Sequence, residues 1–286
     1  MKRGRGQAKA TLDFIEACTE ILKVEQPTSV RAVAYRLFTQ GVIPNMGRNS
    51  TNKVSRILTT AREDGIIPWE WIVDETREAE RVNTWSNSDQ IIRATVNGYR
   101  RDYWQSQPEW VEVWSEKGTV RGILAPVLDK YGITFRVMHG YASATVMQDI
   151  ASETRQADKR LTVLYVGDYD PSGMHMSEVD LPQRIRRYGG SARIRRTALT
   201  AEDLPNLPYF EAATKKADKR YQWFVSSYGH KAWELDAMQS SLLRDRVESE
   251  IASLLDLDAW EHATQIESAE VESMQRFYQA WRSAQC

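Results

Sequence analysis

Residues 161–173 read LTVLYVGDYDPSG, and the fold turns on this stretch. Residues 161–166 are an unbroken apolar run, the pattern of a parallel strand buried on both faces. Asp168 and Asp170 follow it two positions apart. A strand repeats every two residues, so both carboxylates leave its end in the same direction. Pro171 and Gly173 then turn the chain into a helix, whose N-terminus favours an anion. In open α/β sheets ligands bind beyond the carboxyl ends of the strands, where these two aspartates stand.

The same alternation extends outward. Residues 110–114 (WVEVW) alternate as a strand, a helix over 120–130 ends at Gly132, and a strand over 134–138 leads to a helix over 143–153. Beyond the aspartates, a helix from about 174 to 188 ends at Gly189-Gly190, and residues 192–196 form a fourth strand. Strands and helices alternating at this spacing predict a parallel α/β sheet. Glu116 follows the first strand, in WSEKG, and is the third acid at a strand end. Three carboxylates without histidine or cysteine make a hard oxygen site, suited to Mg²⁺ or Mn²⁺ rather than zinc.

An isolated Asp-x-Asp is often only a turn or a helix cap. The combination is more specific. VWSEKGTVRGIL (113–124) and LYVGDYDPSGMHM (164–176) resemble the two acidic motifs of the Toprim domain, which occurs in type II and type VI topoisomerases, bacterial primases and OLD-type nucleases. The DYDPSG form is most similar to the A subunit of topoisomerase VI and its relatives. These include the meiotic double-strand-break protein and small stand-alone proteins of bacteria and phages. The resemblance covers residues 109–200 clearly and the front half more loosely. It implies that Asp168 and Asp170 bind Mg²⁺ or Mn²⁺, and that Glu116 binds metal or acts as general acid/base. The metal would polarise a DNA phosphate and stabilise the leaving 3′-oxygen. Lys117 beside the site reads either as a phosphate ligand or as a solvated lysine.

The front of the chain reads as three helices, over 11–24, 30–40 and 51–64, the last ended by Gly65. Residues 66–73 (IIPWEWIV) read as a short extended hairpin, which completes a winged helix-turn-helix pattern. Lys53 and Arg56 on the third helix suit phosphate contacts, although such domains also bind proteins. Residues 1–62 hold eleven lysines and arginines against four acids, whereas residues 234–286 hold eleven acids against four arginines. That asymmetry suggests a polyanion at the front.

Relatives of topoisomerase VI A attack DNA with a tyrosine that follows a basic residue by four positions in a helix. Arg31 and Tyr35 match that spacing and share a helical face. Ala32 and Ala34 stand where better-known relatives carry an acid and an aromatic residue, so Tyr35 also reads as an ordinary packed tyrosine. In such enzymes the tyrosine of one protomer meets the metal site of the other, which implies a homodimer. No Gly-rich phosphate loop is found, so ATP-driven strand passage would need a separate ATPase subunit.

Other candidates have a functional and a plainer reading. Arg184, Arg186, Arg187, Arg193, Arg195 and Arg196 grip the DNA backbone or form a solvated face. Glu234 and Asp236, at alternate positions in KAWELDAM, add to the metal site or cap a helix. His139 and His175 flank strand ends. The aromatics of residues 74–108 read as packing residues of a helical connection. The expected organisation is α/β: a winged-helix domain over 1–80, a helical linker over 81–108, a Toprim domain over 109–239 and a helical acidic segment over 240–286. Two distant cysteines, Cys18 and Cys286, and no apolar membrane span predict a cytoplasmic protein, nucleoid-associated if its partner is DNA. Three functions fit: a topoisomerase-like transesterase acting through Tyr35 on double-stranded DNA, a hydrolytic nuclease of a mobile element or defence system, or a non-catalytic DNA-binding protein.

Overall fold

The structure, a computed structural model, describes residues 9–73, 84–138 and 143–284. It opens with three amphipathic helices, α1 (Lys9–Glu25), α2 (Val30–Thr39) and α3 (Arg48–Glu63). Their apolar stripes, including Ile15, Cys18, Leu22, Val33, Leu37, Val54 and Leu58, meet in one core. Burial pushes the Cys18 thiol up to about 12, which leaves it an inert packing residue. The Ser29 hydroxyl caps α2 by accepting the Ala32 N–H at 3.0 Å. Gly65, at φ +72°, ends α3 in the left-handed conformation that favours glycine.

The hairpin expected over residues 66–73 does not form. Trp69–Trp71 is a 3₁₀ turn, closed by the Trp71 N–H on the Pro68 carbonyl at 3.3 Å. Pro68 has no N–H to give to a hairpin ladder. The strand β2 (Ile72–Val73) instead pairs in parallel with β1 (Thr28–Ser29), ahead of α2.

After α4 (Ser88–Gly98) come β3 (Glu109–Ser115), α5 (Thr119–Tyr131), β4 (Thr134–Val137), α6 (Ala144–Gln156) and β5 (Arg160–Val166). Then follow α7 (Pro171–His175), a π-helical turn at Met176–Asp180, α8 (Leu181–Arg187) and β6 (Ala192–Ala198). The four longer strands make one parallel sheet in the order β4-β3-β5-β6. Every residue of 161–166 is buried, as an interior strand requires. Gly132, at φ +60°, ends α5. The helix expected from 174 starts three residues earlier, at Pro171, because Asp170 caps it and proline suits a first turn.

The remaining elements are β7 (Phe210–Glu211), α9 (Tyr221–Tyr228), β8 (Lys231–Ala232), α10 (Ser240–Ala252) and α11 (Leu257–Ser283). β7 and β8 pair antiparallel. Tyr169 and Trp233 exchange two backbone hydrogen bonds of 2.9 Å, which fasten the segment after β8 to the DYD loop.

The chain divides into two compact units that cross the linear boundaries expected from sequence. In the first, residues 9–73 pack with residues 111–251. Arg244 donates to the carbonyls of Gln26 and Pro27 (3.1 Å each), and the Thr28 and Ser240 hydroxyls meet at 2.6 Å. A Cβ on Gly122 would collide with the Val73 side chain, so a glycine there lets α5 lie directly on β2. In the second unit, residues 84–110 pack with residues 252–284. Tyr103 and Trp104 set their rings edge-on to Trp260 at 4.7 and 6.0 Å, and Tyr99 donates to Glu270 at 2.6 Å. These aromatics are packing residues. The part of the expected connection at residues 74–83 lies outside the described residues, as do His139 and Cys286. Among the described residues no helix is long and apolar enough to cross a membrane.

Candidate active site

A pocket of about 540 Å³ opens in the first unit, at the carboxyl ends of β3 and β5. Arg31, Glu116, Lys117, Asp168, Glu234 and Asp236 line it, together with Ser29 and Val30. Four separated stretches of sequence therefore bring charged side chains to one place.

The DYD loop is held by its own backbone and by a buried arginine. Asp170 Oδ1 accepts the Gly173 N–H at 2.8 Å. A Cβ on Gly173 would collide with the Asp168 carbonyl oxygen, so this turn closes only on glycine. Arg196 donates to the carbonyls of Gly167 (3.1 Å), Asp168 (3.2 Å), Leu199 (3.1 Å) and Gly173 (2.7 Å). Its side chain is only 8% exposed. The sequence reading of Arg196 as a DNA-gripping or solvated residue is therefore corrected. It is the brace of the acidic loop, where its charge satisfies carbonyls that a buried loop would leave orphaned.

Both aspartates are engaged by lysines. Asp168 Oδ1 accepts Lys117 Nζ and the Leu235 N–H, each at 2.8 Å. Lys117 also donates to Asp236 Oδ2 at 3.0 Å. Lys117 is thus neither a free phosphate ligand nor a solvated lysine, but a bridge between two acids. Burial opposes its charge, yet Asp168 and Asp236 outweigh that and hold the ammonium above the ordinary lysine range. Lys215, unforeseen from sequence, donates to Asp170 Oδ2. Burial raises the Asp168 carboxyl, with Lys117 opposing it. Glu116 has no hydrogen-bond partner among the described residues, and its carboxyl is pushed up to about 7 by burial first and then by Asp168 and Asp170.

Glu234 and Asp236 do not sit on a strand. Glu234 precedes and Asp236 lies within a 3₁₀ turn at Leu235–Ala237, and each has its own partners. Glu234 receives two hydrogen bonds from Arg31, from Nε and from Nη2 (2.5 Å), and one from the Tyr35 hydroxyl at 3.2 Å. Asp236 Oδ1 accepts the Ser29 hydroxyl at 2.6 Å. Burial raises Asp236, but Lys117 and Ser29 overcome it and leave the carboxyl below the usual range. Tyr35 is buried at 5% exposure, with Arg31 beside its ring at 5.9 Å. Burial and then Glu234 push its phenol well above the ordinary tyrosine range.

The other expected residues lie elsewhere. Lys53 and Arg56 are exposed on α3 and line a separate hollow of about 250 Å³ with Asn49 and Asn52. Arg184 and Arg187 are on α8 and do not line the acidic pocket; Arg184 reaches Asp180 at 3.4 Å. His175 packs edge-on against Trp223 at 5.2 Å.

The donor set fits a divalent cation in type and charge. Five carboxylates, Glu116, Asp168, Asp170, Glu234 and Asp236, face three cations, Arg31, Lys117 and Lys215. Fully ionised, they carry two negative charges in excess, the charge of one Mg²⁺ or Mn²⁺. Arg196 behind them faces Glu178 at 3.9 Å and leaves that excess unchanged. Among the described residues no three ligating side chains converge at metal-binding spacing, and the two lysines hold oxygens of Asp168 and Asp170. No protein-family model matches the chain, and no curated protein does.

Proposed function

We propose that the chain cleaves DNA phosphodiester bonds at the acidic pocket, as a Toprim-like site joined to a winged-helix-like front. The observation that carries this reading is the gathering of Glu116 and Asp168 in the pocket at the carboxyl ends of parallel strands, with Arg31 on the same pocket and Asp170, buried outside its lining, helping to raise the Glu116 carboxyl. Glu116, Asp168 and Asp170 would hold Mg²⁺ or Mn²⁺. Bound there, the cation supplies Lewis-acid stabilisation of the charge that develops on phosphate oxygens. Arg31 reaches the same pocket and offers a guanidinium to a phosphate. Lys53 and Arg56, exposed on α3, suit the flanking backbone of double-stranded DNA. Homodimerisation and an ATPase partner remain part of the topoisomerase-like reading.

Two attacking groups are open to this pocket. Tyr35 is favoured by its hydroxyl, which already donates to a carboxylate at the pocket wall, the arrangement of a nucleophile with its base. Water is favoured by the burial of Tyr35, whose ring is not among the residues lining the pocket.

Supercoiled plasmid incubated with the protein and Mg²⁺ or Mn²⁺ tests the reading. Wild type is expected to nick or linearise it, Asp168→Ala to lose at least a hundredfold, and chelation to abolish cleavage. Cleavage that survives Asp168→Ala would remove the acidic pocket as the site.

A further inference from the structure

We propose that the amino ends of β5 and β6 carry a second surface for the DNA backbone, at the end of the sheet opposite the acidic pocket. The surface takes DNA as partner from the reading above, and it does not depend on how cleavage occurs.

The sheet topology builds this surface. α6 runs into β5 through residues 157–159, and α8 runs into β6 through residues 188–191. β5 and β6 are parallel neighbours, with Leu161 beside Ala192, so both connections reach the same end of the sheet. They also touch. The Ser191 N–H donates to the Thr154 hydroxyl at 3.2 Å, and Arg155 donates to the Tyr188 carbonyl. A Cβ on Gly190 would collide with Ala151 and Thr154, so glycine there lets the connections close on each other. The seven residues of β5, at about 3.3 Å each, set this place about 20 Å from the acidic loop.

The two connections are strongly basic. Residues 154–160 and 184–193 hold seven lysines and arginines against one acid, Asp158, in a chain of net charge -1. Arg155, Arg160, Arg186, Arg187 and Arg193 are exposed. None of the five has a carboxylate partner among the described residues, and Arg155 and Arg186 reach only the backbone carbonyls of Tyr188 and Pro182. Arg184, half-buried, is taken by Asp180 at 3.4 Å. Cations at a helix end are favoured by the helix dipole, which amounts to about half a charge. That accounts for part of Arg186 and Arg187 in the last turn of α8. It accounts for nothing at Arg160 and Arg193, which stand where strands begin. Like charges gathered without acids repel, and a polyanion that displaces their counterions relieves the repulsion. Six of the seven cations are arginines, whose forked guanidinium matches phosphate oxygens in pairs. A DNA duplex offers such oxygens closely and regularly, about one charge per 1.7 Å of its axis. Binding here needs no divalent cation.

Titration of the full chain with a short labelled duplex, in chelator and at low salt, tests the surface apart from cleavage. The combined variant Arg186→Gln, Arg187→Gln, Arg193→Gln replaces exposed side chains, and its thermal unfolding curve checks the fold. Wild type is expected to take up about twice as much duplex per chain as this variant. In a Lys53→Ala, Arg56→Ala background, adding the three glutamines should lower the slope of log affinity against log salt by nearly three, since each phosphate contact contributes about 0.9. Lysine at the same three positions should keep both the uptake and the slope. Uptake and slope unchanged by the glutamines would overturn the surface, and lysines that fail as the glutamines do would overturn its electrostatic basis. Poly-glutamate that displaces the second duplex as well as unlabelled DNA does would make an acidic protein the partner and overturn the DNA assignment. A wild-type chain that cleaves plasmid but takes up no more duplex than the glutamine variant keeps the proposed function and loses this surface. A chain that binds no duplex loses both.

Discussion

At the scale of single residues, the sequence makes the acids plain and hides what controls them. Asp168 and Asp170 are legible because they sit two apart behind a short apolar run, a spacing with one geometric meaning at a strand end. Glu116 is legible because it follows the alternating strand at residues 110–114. Lys215 is not. It lies in KKADKR, where nothing in the pattern distinguishes it from Lys216 or Lys219, and only the fold brings its ammonium to Asp170. Arg196 is misleading in sequence because it follows Arg193 and Arg195. Burial, not residue type, separates the brace of the loop from exposed Arg193 and half-buried Arg195. Gly173 gives a test at this scale. Gly173→Ala forces a Cβ against the Asp168 carbonyl oxygen and should cost roughly 1–3 kcal/mol by overpacking. Urea unfolding measures it, and an unchanged midpoint would mean that the turn has room to spare.

At the scale of elements, the parallel sheet and its helices follow from periodicity, within a few residues at each end. The misreading falls where local chemistry competes with pattern. Residues 66–73 look like a hairpin, but Pro68 closes a 3₁₀ turn, and the two residues left over find a strand partner 44 positions earlier, at Thr28–Ser29. No local signal announces so distant a partner. The attachment of α10 to the loop after β6 offers a second test. Asp203 accepts two hydrogen bonds from Thr200 (2.8 and 3.1 Å) and faces Arg246 on α10 at 2.6 Å. Burial opposes ionisation, but these bonds and the Arg246 charge outweigh it and hold the Asp203 carboxyl below its usual range. A depressed carboxyl stabilises the fold above its unfolded value, about 3.9, and loses that contribution as pH falls through the folded value. Asp203→Asn is therefore expected to lower the melting temperature at pH 7, at a cost of about 1–3 kcal/mol. The gap from wild type should close below about pH 4. A gap that stays constant down to pH 3 would contradict the ion pair.

At the scale of the whole molecule, the linear domain boundaries are the least legible feature. The units interleave: residues 84–110 find their partner in 252–284, while α10 stays with the sheet. A boundary search that reads composition along the chain has no means of seeing such a return. The basic front is a different matter, because net charge needs no fold to act. If α3 meets the DNA backbone, affinity should fall steeply with salt, and Lys53→Ala and Arg56→Ala should each lower the slope of log affinity against log salt by about one. A slope unchanged in both variants would place the DNA elsewhere.

The central claim is that Glu116, Asp168 and Asp170 bind a divalent cation. Calorimetric titration of the full chain with Mn²⁺ tests it most directly, without DNA or catalysis. Lys117 and Lys215 compete for the same oxygens. The account predicts saturable binding in wild type, tighter binding in Lys215→Met, and loss of binding in Asp168→Asn and Asp170→Asn. Binding that persists at full strength in both asparagine variants, or a wild-type chain that takes up no Mn²⁺, would contradict it.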